Sequence, residues 1–244
     1  MLALFKKEIS SFLNSLIGYI VILVFLLSIS LFMWVFPGDA NVLDNGYSSL
    51  DTLFVIAPWV FLFLVPAITM RSFAEERRLG TIELLITKPL SSMQIIGAKY
   101  LAGFSLVLFS VLPTLVFFVS IYFLGSPVGN IDIGGTWGSY IGLLFLAAAF
   151  VSIGIFCSSL TSNQIIAFIF SICLCFTFYI GFQTLSTLAL FSSWDNLIMG
   201  MGIQDHYLSM SRGVLDTRDV LYFLSLVGLF IWMTRTVLNR KSIL

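Results

Sequence analysis

RSFAEERRLGTIELLITKPLSSMQIIGAK, running from Arg71 to Lys99, is the one strongly charged island in an otherwise apolar chain. Five of the chain's twelve Lys and Arg residues fall in it (Arg71, Arg77, Arg78, Lys88, Lys99), with three of its twelve acids (Glu75, Glu76, Glu83). Long apolar runs flank it on both sides, Thr52 to Met70 and Tyr100 to Leu124. The island therefore reads as a cytosolic loop between two membrane spans, built to dock on a soluble partner.

Composition sets the frame for that reading. Of 244 residues, 59% are hydrophobic and only 10% are charged; the mean hydropathy is +1.06. A typical soluble domain is about 25% charged. So little charge cannot cover a core of this size, which makes the chain an integral membrane protein. Its three cysteines, Cys157, Cys173 and Cys175, all sit in apolar runs far from the single His206. They read as small packing residues, not as a metal site or a disulfide framework.

Working outward, Met1 to Ser15 places Leu2, Phe5, Ile9, Phe12 and Leu13 at helical spacing with Lys6, Lys7 and Glu8 between them. That pattern predicts a short interfacial helix. A cleaved signal peptide is the alternative. It fits less well, because Leu16 to Phe36 is long enough to span and no small-x-small cleavage site follows. The further spans are Thr52 to Met70 (with Pro58 and Pro66), Tyr100 to Leu124 (kinked at Pro113), Trp137 to Leu160, Ile165 to about Phe182, and Val220 to Leu238. Residues 183–219 are too apolar for an ordinary loop and too interrupted for a span. They read as a re-entrant or interfacial helical segment, which needs protein to cover it at that depth.

Orientation follows from the distribution of basic residues. With six spans and a cytosolic N-terminus, the cytosolic side holds ten Lys and Arg residues and the outer side only Arg212 and Arg218. Trp34, Trp137 and Trp194 then fall near the outer interface. The chain reads as one membrane domain, residues 1–244.

Several chemistries are excluded. The chain has no G-x-x-x-x-G-K-[ST] phosphate loop, no H-E-x-x-H and no G-x-S-x-G. The first five spans hold no ionisable group of the carboxylate or basic kind, and the sixth only Arg235 near its end. Self-powered transporters usually bury such groups or broken helices at mid-membrane. The energy is therefore expected from outside the bilayer, and no catalytic or metal site is expected in the chain.

Within the island, Arg71 to Arg78 reads as a helical extension of the second span, ended by Gly80. Thr81 caps a short amphipathic turn carrying Ile82, Glu83, Leu84 and Leu85, and Pro89 stops it. Ser91 and Gln94 form a capping box for the helix that enters the third span. A short helix held at both ends across two spans would act as a lever. A solvated loop with ordinary caps is the alternative, but such a loop has little reason to expose the aliphatic cluster beside Glu83.

The run E-E-R-R-x-G-T-I-E-L-L-x-T-x-P-L (Glu75 to Leu90), followed by Gly97 and Lys99, resembles the coupling-helix signature of ABC-2 type transporter permeases. Gly202, His206, Gly213 and Asp219 through Tyr222-Phe223-Leu224 resemble that family's closing segment. Within the family, the chain is most similar to the smaller permease of the bacterial gliding-motility ABC transporter. The resemblance implies an all-α fold of six transmembrane helices with both termini cytosolic. Met1 to Ser15 would be the elbow helix, and the ATPase-coupling residues would be Glu75, Glu76, Gly80, Thr81, Ile82, Glu83, Leu84, Leu85 and Pro89. It further implies P-loop ATPase subunits as partners, which would hold the ATP and magnesium. A second permease would complete the unit, either as a homodimer or as a heterodimer with a larger permease carrying an extracytoplasmic domain. No cofactor in this chain and no nucleic-acid partner are expected. The expected role is a permease subunit coupling ATP hydrolysis to export or force transmission; a lone secondary transporter and a non-transporting structural component stay open. The substrate is not readable.

Overall fold

The computed structural model describes residues 1–83, 90–187 and 199–241. Among them there is no strand, and six helical stretches are long and apolar enough to cross a membrane. The first is α2 (Leu16–Ser30), continued by a π-helical turn over Leu31–Val35. The second is α4 (Asp51–Thr69) with α5 (Arg71–Arg78). The third joins α6 (Ser92–Val111) to α7 (Leu115–Leu124) through a 3₁₀ turn over Leu112–Thr114, where Pro113 has no N–H to give. The fourth is α8 (Ile133–Leu160), and the fifth is α9 (Gln164–Phe176) with a π-helical turn over Thr177–Gly181 and then α10 (Phe182–Thr187). The sixth is α12 (Thr217–Lys241). Short helices complete the set: α1 (Leu2–Leu13), α3 (Val42–Asn45) and α11 (Ile203–Met210).

Several helices start earlier than their apolar runs, because polar caps set their first turns. Asp132 accepts the Gly135 N–H at 2.9 Å and starts α8 ahead of Trp137. Ser91 and Gln94 form the expected capping box, so α6 begins at Ser92, well before Tyr100. The fifth span is also longer than its expected end at Phe182, since the π-helical turn carries the helix on through Ser186.

α8 is the axis of the bundle. Its apolar window is 78% buried, against 22% for those of the fifth and sixth spans, and α4, α5, α6, α9, α11 and α12 pack around it. Lipid tails are as apolar as leucine, so burial alone does not drive helices together in a bilayer. Small residues do, by letting backbones approach. α8 buries Gly138, Ser139, Gly142, Ala147, Ala149, Ser152, Gly154, Ser158 and Ser159 along its length. At Gly154 a side chain would collide with the Thr69 hydroxyl of α4, so only glycine allows this approach. The G-x-x-x-S pair Gly154 and Ser158 is therefore a real seam.

Met1 and the last described turn of α12 lie at one end of the bundle. Met1 packs beside Gly97, and the Ser92 hydroxyl donates to Asn239 Oδ1 at 2.9 Å. This end, the terminal face, also carries α5 and the start of α6.

Candidate coupling site

α4 breaks at Met70, and α5 starts one residue later. A new helix start frees backbone N–H groups that need acceptors. Here the acceptor comes from the central helix. Ser158 Oγ accepts the N–H of Phe73 at 2.9 Å and of Ala74 at 3.1 Å, and donates to the Met70 carbonyl at 3.0 Å. One buried hydroxyl thus fixes where α5 leaves the second span.

A buried cation fixes its direction. Lys99, on α6, has a side chain only 1% exposed. Its Nζ donates to Glu8 Oε1 of α1 at 2.9 Å and to the Ser72 carbonyl at 2.6 Å. It also pairs with Glu76 Oε1 of α5 at 3.0 Å and lies 5.1 Å from the centre of the Phe73 ring. Lys7 adds a second contact to Glu76 Oε1 at 3.5 Å. A buried ammonium survives only when its protons are met by acceptors, and here α1 and α5 supply them to the lysine of α6. The three helices are clamped together at one atom.

The expected coupling residues divide into two groups around this clamp. Glu76 is buried and turned inward to Lys99, and Glu75 beside it is half-buried. Arg78, Leu79, Gly80, Thr81 and Glu83 are exposed at the tip, and half-buried Ile82 packs back on the core. Gly80 adopts φ +69°, the left-handed conformation that ends a helix at little cost only with glycine. Its N–H bonds the Arg77 carbonyl at 3.2 Å. The Thr81 hydroxyl donates to the Glu76 carbonyl at 3.4 Å, so it helps close α5 from behind. Its expected capping of the next turn, together with Leu84, Leu85 and Pro89, lies outside the described residues.

Sequence reasoning missed Lys99 and Ser158 as organising residues. Both signals were present. Lys99 falls at helical spacing within a buried stripe of Ile96, Gly103, Leu106 and Ser110, where a lysine must find an acid. Ser158 is the second small residue of the Gly154 seam.

Comparison with known proteins then bears on the same geometry. Residues 38–201 match the family described as ABC-2 family transporter protein. The chain belongs to the ABC-2 transporter family. It is thus a multi-pass membrane permease of an ABC transporter, and membership implies an ATPase partner subunit. Among curated proteins, none matches the chain.

At the opposite end of this ABC-2 permease a second polar constellation joins α11 to α12. His206 Nδ1 lies 2.7 Å from Asp219 Oδ1, and Nε2 lies 3.1 Å from the Gly200 carbonyl. The imidazole also stacks on Tyr222, with ring centres 3.9 Å apart. The acid beside His206 in space is thus Asp219, thirteen residues away, and not its chain neighbour Asp205. The Tyr207 hydroxyl donates to the Phe54 carbonyl at 2.6 Å, bringing α11 against α4. Trp34 and Trp137 pack at this end against Phe117 and Phe118 respectively; Trp194 lies outside the described residues. Cys157 and Cys175 are buried among apolar neighbours, whereas Cys173 is exposed on the helix surface. The permease leaves its outer helices strongly apolar, with Leu23, Ile165, Leu221 and Trp232 all exposed, as fits contact with lipid or with a second membrane subunit.

Proposed function

We propose that this chain couples ATP hydrolysis on a separate P-loop ATPase to movement of its second and third spans. One observation carries the reading: the Lys99 clamp ties the exposed Arg78–Glu83 tip to three helices at once. A push on the tip cannot be absorbed by α5 alone. Through Glu76 and the Ser72 carbonyl it reaches α6; through Ser158 it reaches α8. The terminal face is the cytosolic one in this reading, because ten of the twelve basic residues fall on that side of a six-span chain. Between the ties at its two ends, the described part of the bundle buries no carboxylate or basic side chain, which favours energy entering at the tip. A second permease completes the unit, either another copy or a larger relative. The gliding-motility type of ABC-2 system is the favoured setting, in a bacterial inner membrane. Export of a substrate and transmission of force both use the same lever.

The test is purification of the full-length protein in mild detergent, with its co-purifying proteins identified and their ATP hydrolysis measured. A P-loop ATPase whose rate depends on the permease is the expected result. Recovery of intact complexes that contain no ATPase overturns the proposal.

A further inference from the structure

Below the Lys99 clamp, among α1, α4, α5 and α6, lies a cavity of about 350 Å³, within the size range of small-ligand sites. One side is apolar, with Phe12 and Leu106. The other side sets three cations, Lys7, Arg71 and Lys99, against three acids, Glu8, Glu75 and Glu76. The lining is neutral overall but strongly polarised. Two atoms of these lining residues have unmet bonding. Arg71 Nε, a donor, and Glu76 Oε2, an acceptor, are buried with no hydrogen-bond partner among the described residues. Buried polar atoms of native proteins are nearly always paired.

A ligand that meets these demands needs an anionic oxygen for Arg71, an N–H donor for Glu76 and an apolar part for Phe12 and Leu106. The position adds a constraint. The cavity reaches from Thr81, beyond the second span, to Leu106, inside the third, which is the depth at which a lipid headgroup meets its chains. We propose that this cavity binds a phospholipid with a primary-ammonium headgroup, phosphatidylethanolamine. Its phosphate accepts from Arg71 Nε, its ammonium donates to Glu76 Oε2, and its chains pass Phe12 and Leu106 into the bilayer. A net anion fits less well, because the six lining charges already cancel. A choline headgroup fits less well, because its quaternary nitrogen has no N–H to give. Nothing in this site depends on an ATPase, so it stands or falls apart from the coupling proposal.

The experiment places the full-length protein in nanodiscs containing equal parts of phosphatidylethanolamine, phosphatidylcholine and phosphatidylglycerol with matched chains. Native mass spectrometry then reads the lipid that stays bound. Phosphatidylethanolamine should be retained over phosphatidylcholine by about tenfold, the factor that one satisfied hydrogen bond supplies. Arg71→Gln removes the phosphate contact that both lipids share, so it should lower retention of each while the protein still enters nanodiscs as a folded monodisperse species; unchanged retention of both would overturn the proposal. Soluble phosphoethanolamine at millimolar concentration should not displace the bound lipid, since it lacks the chains. Equal retention of the ethanolamine and choline lipids in the unmodified protein overturns the proposal, as does preference for the glycerol lipid. Retention of no lipid means that the cavity holds only water, and displacement by soluble phosphoethanolamine means that it reads a free headgroup; either result also overturns it.

Discussion

At Ser158 one side-chain oxygen serves three backbone groups at the α4–α5 break, at 2.9, 3.1 and 3.0 Å. Ser158→Ala removes all three bonds and strands two buried N–H groups at the start of α5. Each stranded group costs about 1–3 kcal/mol, so the variant should unfold at a visibly lower temperature in detergent. Its α5 amides should also exchange hydrogen faster than those of α8. Lys99 makes a stronger case. Lys99→Met leaves buried Glu76 with only the longer contact to exposed Lys7, and breaking a buried pair from one side costs about 3–5 kcal/mol. Adding Glu76→Gln removes the stranded charge and should restore part of the loss. The measurement is a double-mutant cycle of thermal stability; simple additivity of the two losses would show that Lys99 and Glu76 do not act as a pair. At the other end, His206→Leu removes the partner of Asp219, whose side chain is only 9% exposed. Losing that hydrogen bond should cost about 1–3 kcal/mol and free the segment around Gly200, read as protease sensitivity at that loop.

At the scale of elements, α5 is the piece that matters, and its behaviour rests on its two ends. Gly80 ends it in a left-handed turn. Gly80→Val puts a branched side chain where φ is +69°, a strain of about 1–2 kcal/mol. Nothing lies within 4 Å of a Cβ there, so the loss of global stability should not exceed that strain, whereas stimulation of the partner ATPase should fall. Gly154→Val acts at the opposite kind of glycine. There the obstacle is the Thr69 hydroxyl, not the backbone angle, so α4 and α8 should separate and the folded protein should be lost. Much of this architecture was legible from residue patterns. The six spans, the helix stop at Gly80 and the Ser91–Gln94 capping box depend on local sequence alone, and local rules gave them. The clamp was not legible in that way. Lys99 and Glu8 are 91 residues apart, and only the three-dimensional crossing of α1 over α6 brings them together. The two π-helical turns, at Leu31–Val35 and Thr177–Gly181, also left no sign in the apolar pattern, since a π turn changes the backbone bonding without changing composition. Glu76, one of the residues that the resemblance assigns to coupling, is buried. Its burial follows from helical spacing, because Phe73 at i−3 lies on the same inward face of α5.

The whole molecule is a bundle arranged around α8, with polar ties at its two ends and almost none between them. The terminal-face ties, Lys99 and Ser158, hold the helix that carries the exposed tip. The ties at the far face, His206 with Asp219 and Tyr207 with the Phe54 carbonyl, hold α11 against α12 and α4. α4 and α8 run between the two faces and meet at the Gly154 seam. Motion imposed at the tip therefore has a rigid route to the far end. The most direct test of this account asks which face the ATPase touches. Full-length Glu83→Cys and Tyr47→Cys proteins, the second altered at an exposed residue of the far-face loop, are labelled with a short photo-crosslinker in native membranes. The crosslinked products are then identified. The account predicts a P-loop ATPase joined to the residue-83 probe and not to the residue-47 probe. An ATPase joined only at residue 47, or at neither residue while the complex stays intact, would contradict it.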